Sequence, residues 1–282
     1  MGKSHVAFSA MLTAAALPLT NAAFDLGLSP AEMAIGVGIS AVAGVLPDID
    51  HPNSLITQGI VPGSKMFGPV GRGAGWFLCL PPRLVGVGAR ATMNHRGGTH
   101  SLLFAVIWAL FAAPFYALTF TGLAFILSII LSPVAGLLGL SESFNPGVVW
   151  DWFTANLTSI MLLVTPSVFF GYIGHLIADS MTKVPVPWPW PFSARRLFLL
   201  PKPLRITTGS FTESALLRPI FVVFLLVFFI WGIGIPLANQ LIDSGQKQIE
   251  SREEANPAAE QRKRNIERYQ RQQERQQKRQ NR

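Results

Sequence analysis

The sequence has 282 residues, of which 50% are hydrophobic and only 13% are charged, and its mean hydropathy is +0.38. Because soluble domains carry about 25% charged residues, this composition predicts an all-α, polytopic membrane protein with about five spans of about 20 residues. The net charge of +8 is concentrated in loops and in the C-terminal segment, so we expect no direct nucleic-acid binding. The single cysteine, Cys79, excludes an intrachain disulfide and a thiolate metal cage.

The first two apolar segments end in polar residues. Residues 5–19 are apolar and rich in alanine, which is typical of either a signal peptide or a short membrane helix. A second helix is predicted to start at Ser29, because a capping serine is followed by proline and, three residues on, by Glu32. Pro47 ends that helix, and an acidic and histidine-containing stretch follows at once.

The later apolar segments are longer. Residues 54–94 form a loop rich in glycine and proline, within which 76–91 is predicted to be interfacial or re-entrant. The run 101–131 is either one tilted or kinked span or the first part of a hairpin that reaches residue 140. Two further spans are predicted at about 158–181 and 216–242.

The composition changes at Gly245, where Gln, Arg, Lys and Glu become dominant. We therefore divide the chain into a helical membrane domain, 1–244, and a charged tail, 245–282. The tail has too few apolar residues to bury a core, and it is predicted to be a solvated helix or disordered. Between these parts, prolines that alternate with other residues over 185–191 predict an extended loop.

All five histidines lie within a few residues of the end of an apolar segment. His175 and Asp179 are spaced i and i+4, so on a helix they share one face and can bind one metal ion. The alternative is a hydrogen-bonded pair that satisfies two polar groups. Near a membrane, even such a pair is costly and usually functional.

Three further ligands are predicted directly after the second span. Asp48 and Asp50 supply two carboxylates and His51 supplies an imidazole. Carboxylates can bridge two metal ions about 3.5–4 Å apart, as in two-metal hydrolases. The alternative is a polar turn, for which the flanking prolines and Asn53 are well suited.

The stretch His95-Arg96-Gly97-Gly98-Thr99-His100-Ser101 contributes two more histidines and an arginine. Either histidine is a candidate ligand or general base, and Arg96 is a candidate for orienting a phosphate or carboxylate. Alternatively, Thr99 or Ser101 caps the next helix and the histidines lie at the lipid interface. We assign His100 to the metal, and His95 and Arg96 to catalysis.

Two weaker candidates complete the set. His5 is either a metal ligand or an incidental interfacial residue near the N-terminus. Glu213 either moves protons or closes a capping box with Ser210 at the start of the last span.

The candidates share one membrane face if 101–131 is a single span, because the helices then alternate in direction. With two spans over 101–140, His175 would lie at the opposite face. The segments at the shared face carry twelve Lys and Arg, and the tail carries the other eleven. Because the positive-inside rule applies to short loops, we expect this face to be cytoplasmic.

These motifs resemble those of the YdjM-like family, bacterial inner-membrane proteins that bind LexA and are regarded as metal-dependent hydrolases. The match covers about residues 1–240 and leaves out the tail. The matching residues are His5, 46–51, 95–101, Gly174 with His175, Asp179 and Thr182, and 208–210 with Glu213.

The resemblance implies a multi-pass protein of the bacterial inner membrane with a divalent metal site, zinc before manganese, and hydrolase activity. The chain also looks distantly similar to zinc-dependent phospholipases C and related nucleases, which implies a phosphoester or lipid substrate. Such similarity is an analogy and does not establish function.

Three hypotheses follow. The first is a membrane-embedded hydrolase that uses a metal-activated water. The second is a non-catalytic membrane protein that binds a regulatory partner, for example in the DNA-damage response. The third is a metal or proton transporter, which we rank last because the His and Asp residues lie at the ends of the spans rather than near their middles.

Overall fold

The computed structural model describes residues 2–50, 54, 98–137, 146–254 and 257–280, and this part of the chain is mainly helical. Its seven α-helices within these ranges are α1 Gly2–Phe24, α2 Pro30–Ala43, α3 Leu102–Leu137, α4 Pro146–Ser180, α5 Arg218–Phe229, α6 Ile235–Glu254 and α7 Pro257–Gln280. Short 3₁₀ turns follow α2 and precede α3, and π-helical turns flank α5. The predicted all-α architecture is confirmed.

Four helical segments in the described residues are long and apolar enough to cross a membrane. They are Gly2–Phe24, Pro30–Ile49, Gly147–Ser180 and Glu213–Ser251. Helix α3 adds two shorter apolar stretches, Leu102–Phe115 and Ala124–Pro133. The chain is therefore a helical membrane protein, and α3 is one continuous helix, as the single-span alternative predicts.

Helix α2 begins as its sequence predicts. The Ser29 side chain accepts a hydrogen bond from the Glu32 N–H, and the Glu32 carboxylate accepts one from the Ser29 N–H, 2.7 Å away. Asn21 fixes the preceding turn, because its side chain pairs with both backbone groups of Leu28. This end of the α1–α2 hairpin is thus held by polar side chains.

Small residues let α1, α2 and α4 approach closely. The Ser9 hydroxyl of α1 donates to the Gly171 carbonyl of α4 at 2.7 Å, and the Ser40 hydroxyl of α2 donates to the Ser9 carbonyl at 3.0 Å. A Cβ atom added at Gly174 would lie 2.8 Å from the Ser9 Cα. Close backbone approach at small residues is the usual way in which membrane helices pack.

Helix α3 packs on α4 mainly through apolar side chains. Ala105, Trp108 and Ala112 of α3 join Val168 and Tyr172 of α4 in one buried cluster. The opposite side of α3 exposes large apolar residues along its length, such as Ile107, Leu110, Ile126 and Ile130. An apolar outer face is what a lipid-facing helix requires.

The proline–tryptophan segment after α4 differs from its prediction. It folds back in consecutive turns, because the Trp190 N–H donates to the Pro187 carbonyl at 3.1 Å and the Phe192 N–H to the Pro189 carbonyl at 3.0 Å. The Trp188 indole N–H also donates to the Ser180 hydroxyl at 2.7 Å. Tertiary hydrogen bonds thus override the extended preference of alternating prolines.

The structure divides into two compact units, Met1–Gly234 and Ile235–Arg282. The division falls inside the last apolar helix, whereas the composition changes at Gly245, so the domain assignment stays a prediction. The second unit consists of α6 and α7. Described residues of α7, including Glu267 and Tyr269, are exposed.

Candidate metal centre

Five buried or partly buried side chains meet at one end of the helical bundle, and we call them the His/Asp cluster. They are His5 in the first turns of α1, Asp48 in the turn after α2, His100 in the turn before α3, and His175 and Asp179 near the end of α4. The expected meeting of these five residues at one end of the helices is therefore observed.

Four distances between imidazole nitrogens and carboxylate oxygens of the cluster are nearly equal. His100 Nε2 is 3.5 Å from Asp48 Oδ1 and 3.8 Å from Asp179 Oδ2. His175 Nε2 is 3.7 Å from Asp48 Oδ1 and 3.6 Å from Asp179 Oδ2. Each imidazole nitrogen therefore faces both carboxylates.

Two groups of three residues are compatible with a metal ion, because their ligand atoms lie within 4.8 Å of one another. The first is Asp48, His100 and His175, and the second is His5, His175 and Asp179. Zinc holds nitrogen and oxygen ligands about 2.0–2.2 Å away, so in a tetrahedron those ligand atoms lie about 3.3–3.6 Å from one another. The four His–Asp distances, 3.5–3.8 Å, are at or slightly above this range. The buried His and Asp groups can therefore bind a metal ion.

The hydrogen bond on the other side of the His175 ring supports this fit. His175 Nδ1 lies 2.7 Å from the Gly44 carbonyl oxygen, which can only accept, so the Nδ1 proton is on this side. The neutral ring then presents the lone pair of Nε2 to Asp48 and Asp179. Among the residues that the structure describes, Nε2 makes no hydrogen bond. A second partner that fixes the tautomer is typical of metal-ligating histidines.

The two carboxylate oxygens of Asp179 face different histidines. Its Oδ2 atom faces His100 and His175, whereas its Oδ1 atom lies 3.5 Å from His5 Nε2. The His5 ring is stacked on the His175 ring with 4.1 Å between centroids. His5 is thus a buried neighbour of the cluster, with an exposed fraction of 4%, rather than an incidental residue at an interface.

The turn before α3 is fixed by local hydrogen bonds. The Tyr172 hydroxyl donates to the Thr99 carbonyl, and the Thr99 hydroxyl lies 3.1 Å from His100 Nδ1. The Ser101 hydroxyl accepts from the Phe104 N–H at 3.3 Å and caps α3. The capping alternative is therefore correct for Ser101, but His100 is fully buried and does not lie at the lipid interface.

Glu213 is engaged in helix capping. Its carboxylate accepts a hydrogen bond from the Gly209 N–H at 2.6 Å, and its own N–H donates to the Ser210 hydroxyl at 3.3 Å. Within the described residues it belongs to neither of the two metal-compatible groups. The structure thus shows the capping role, and a catalytic role for Glu213 stays a prediction.

Several predicted site residues lie outside the part of the chain that is described. These are His51, His95, Arg96 and the side chain of Asp50, together with the re-entrant segment predicted at 76–91. Their assignments remain predictions.

The residues that orient the cluster were not predicted from the sequence. The Gly44 carbonyl, Ser9 and Tyr172 do not carry metal chemistry themselves, and each acts on a partner far away in the sequence. The small residues Gly171 and Gly174 on α4 were the available signal, because small residues are enriched where membrane helices cross closely.

Comparison with known proteins supports the membrane assignment. The family model described as YdjM inner membrane protein matches residues 1–239. No curated protein and no solved structure shows significant similarity to the chain. The matched segment includes all five residues of the His/Asp cluster and ends before α7. The chain therefore belongs to the YdjM family of inner membrane proteins.

Proposed function

We propose that this protein is a metal-dependent hydrolase of the bacterial inner membrane, that it crosses the membrane several times, and that it cleaves a phosphoester. The observation that carries the proposal is the convergence of Asp48, His100, His175 and Asp179, in which the imidazole nitrogens lie 3.5–3.8 Å from the facing carboxylate oxygens. Two imidazoles and two carboxylates form a donor set suited to zinc, with manganese as the second choice.

The chemistry of the ligands favours a catalytic site over a closed structural site. Structural zinc sites in proteins are mainly built from thiolates, whereas catalytic sites use His and carboxylate ligands and keep a position open. The Asp48 side chain is 19% exposed, while those of His100, His175 and Asp179 are at most 1% exposed. The cluster is therefore closed on the helical side and accessible beside Asp48.

Asp48, His100, His175 and Asp179 would hold the ion, which would supply a water of lowered pKa and Lewis-acid polarisation of a phosphoryl oxygen. Hydrolysis adds water across the P–O bond, so the water oxygen ends on phosphorus and a proton ends on the leaving alcohol. Within the chain, the Gly44 carbonyl orients His175, and His5 lies against the second oxygen of Asp179, where it can hold a proton. We assign proton transfer to His95 or Glu213 and substrate orientation to Arg96.

The proposal is tested by elemental analysis of the detergent-purified protein, with His175→Ala beside the wild type. We expect one or more zinc or manganese ions per chain in the wild type and loss of the metal in the variant. Ser167→Ala is the matched control, because Ser167 is buried in the same helix and its hydroxyl donates to the Leu163 carbonyl of that helix at 2.7 Å. Absence of stoichiometric metal in the wild type after incubation with zinc and manganese would contradict the proposal.

Hydrolysis is then measured with bis(p-nitrophenyl) phosphate and p-nitrophenyl phosphate. We expect release of p-nitrophenol by the metal-loaded wild type and by Ser167→Ala, and no release by His175→Ala. If the wild type binds metal but cleaves neither phosphoester, the metal site is supported and the hydrolase assignment is contradicted.

A second candidate is a non-catalytic membrane protein that binds a regulatory partner. It is favoured by the exposed surface of α7, where Glu267 and Arg271 are 65% and 76% exposed and form an i,i+4 pair at 3.8 Å. This candidate predicts that the protein still binds its partner after His175→Ala. It also predicts that partner binding is lost when residues 257–280 are removed. Retained phosphoester cleavage after that truncation would favour the hydrolase.

A further inference from the structure

A long apolar cavity lies between α2, α3 and α4. Its volume is about 610 Å³, which is within the range of small-molecule sites of about 300–1,000 Å³. The lining is made of aliphatic side chains and alanines, and Thr121 and the Trp152 indole are its polar exceptions among the described residues. We call it the α2–α3–α4 cavity.

The cavity is elongated along the helices. On α3 it extends from Ala112 to Ala124, which is twelve residues or about 18 Å at the helical rise of about 1.5 Å per residue. On α4 it extends from Val149 to Val168. The extent along α3 is comparable to one leaflet of the bilayer core, which is about half of 30 Å thick. The nineteen residues along α4 correspond to about 28 Å at the same rise, close to the full thickness of the core.

One end of the cavity lies close to the His/Asp cluster. Leu46, which lines the cavity, is two residues before Asp48. Val168 lines it from α4, seven residues and therefore two helical turns before His175 on the same face. The far end is bordered by Trp152, whose exposed fraction is 59%. The end lined by Leu46 and Val168 is thus nearer to the cluster, about 10 Å from His175 along α4, and the end bordered by Trp152 is the farther one.

The lining indicates what can occupy this space. Protein interiors leave few voids larger than a water molecule, and ordered water needs polar partners that this lining lacks. Alanines at 112, 117 and 124 keep α3 from filling the gap. Hydrocarbon is the remaining occupant in a membrane, and a space that is long, narrow and apolar fits a single chain.

We propose that the α2–α3–α4 cavity binds one acyl chain of a membrane lipid whose phosphoester headgroup lies at the His/Asp cluster. The substrate is then a lipid phosphoester rather than a soluble one. This inference rests on the proposed function for the reaction, but chain binding is measurable without catalysis.

The test uses a photoreactive long-chain phosphatidic acid, with the photoreactive group in the acyl chain, added to the full-length protein in detergent without metal. We expect labelling of peptides from the cavity-lining parts of α3 and α4. Ala117→Phe fills the middle of the cavity and is expected to lower labelling about tenfold. The matched control is Leu118→Phe, because Leu118 is the next residue and is 60% exposed outside the cavity lining.

A second variant keeps the test decisive if Ala117→Phe does not fold. Ala124→Trp alters the exposed far end of the cavity, and it is expected to weaken long-chain labelling while leaving binding of dioctanoyl phosphatidic acid unchanged. Labelling that maps elsewhere, or that is the same in wild type and both cavity variants, overturns the inference. Metal content serves as the independent readout, because all these variants keep the four ligands.

The failures of the two proposals are distinguishable. Cleavage of bis(p-nitrophenyl) phosphate without labelling of the cavity supports the hydrolase and overturns the acyl-chain site. Labelling of the cavity that Ala117→Phe abolishes, in a protein that binds no metal, supports the acyl-chain site and contradicts the hydrolase.

Discussion

The two halves of α4 pack in opposite ways. Towards its C-terminal end, Gly171 and Gly174 bring the backbone against α1 and α2, and a Cβ atom at Gly171 would lie 2.5 Å from the Ser40 carbonyl oxygen. Towards its N-terminal end, Val149–Val168 leave a cavity of about 610 Å³ against α2 and α3. One helix thus combines close backbone packing towards one end with an open cavity towards the other.

This difference in packing fits the role that we propose for each half of α4. Ligand atoms must be held to within a fraction of an ångström, so the end that carries His175 and Asp179 is fixed by backbone contacts and buried hydrogen bonds. The other half carries no ligand, and there empty space costs stability unless something fills it. The following changes test this division, from the largest expected effect to the smallest.

Asp179→Ala removes both carboxylate oxygens that face the three histidines. We expect metal affinity to fall on the order of 100-fold or more, since loss of an outer partner alone costs about 10–100-fold. Metal titration monitored by elemental analysis measures this. The control is Asp151→Ala, an exposed aspartate at the other end of the same helix, and an equal loss there would contradict the assignment.

Gly174→Ala places a Cβ atom 2.8 Å from the Ser9 Cα, so α1 must shift and carry His5 with it. We expect metal affinity to fall about 10–100-fold and unfolding to occur at a lower temperature. Gly122→Ala is the matched control on α3, where a Cβ atom would meet nothing within 4 Å of the described atoms. There, alanine should stabilise the helix by about 0.5–1 kcal/mol.

Tyr172→Phe removes the hydroxyl that donates to the Thr99 carbonyl, next to His100. We expect metal affinity to fall about tenfold and the free energy of unfolding to decrease by about 1 kcal/mol. Metal titration and thermal unfolding are the measurements. Tyr269→Phe, in the exposed tail, should change neither quantity, and unchanged metal affinity in Tyr172→Phe would show that this contact does not position His100.

Ser29→Ala removes the cap of α2, at the end of the helix away from Asp48. The free energy of unfolding should decrease by about 0.5–2 kcal/mol, while metal affinity stays the same. A change in metal content would mean that the two ends of the bundle are coupled more strongly than the packing indicates.

Much of the site could be predicted from the sequence because its signals are local. The i,i+4 spacing of His175 and Asp179 and the capping pair Ser29 and Glu32 follow from helix geometry. The convergence of His5 and Asp48 on them follows from alternating helix direction.

The remaining features depend on tertiary contacts that local patterns do not encode. The hydrogen bond from His175 to Gly44 joins residues 131 positions apart, and it decides which ring nitrogen faces the carboxylates. The Trp188 indole bond to Ser180 likewise competes with the intrinsic preference of the prolines around it. The cavity arises from the distance between whole helices, and side-chain size alone does not predict that distance.

The contact of Ser9 with Gly171 also constrains how the protein is made. These residues are 162 positions apart, and synthesis at about 5–20 residues per second takes about 8–32 s to cover that stretch. During this time α1 and α2 have left the ribosome without the helix that buries His5 and Ser9. Assembly of the His/Asp cluster is therefore a late step in biogenesis, because His175 and Asp179 join His5 and Asp48 only after α4 has been inserted.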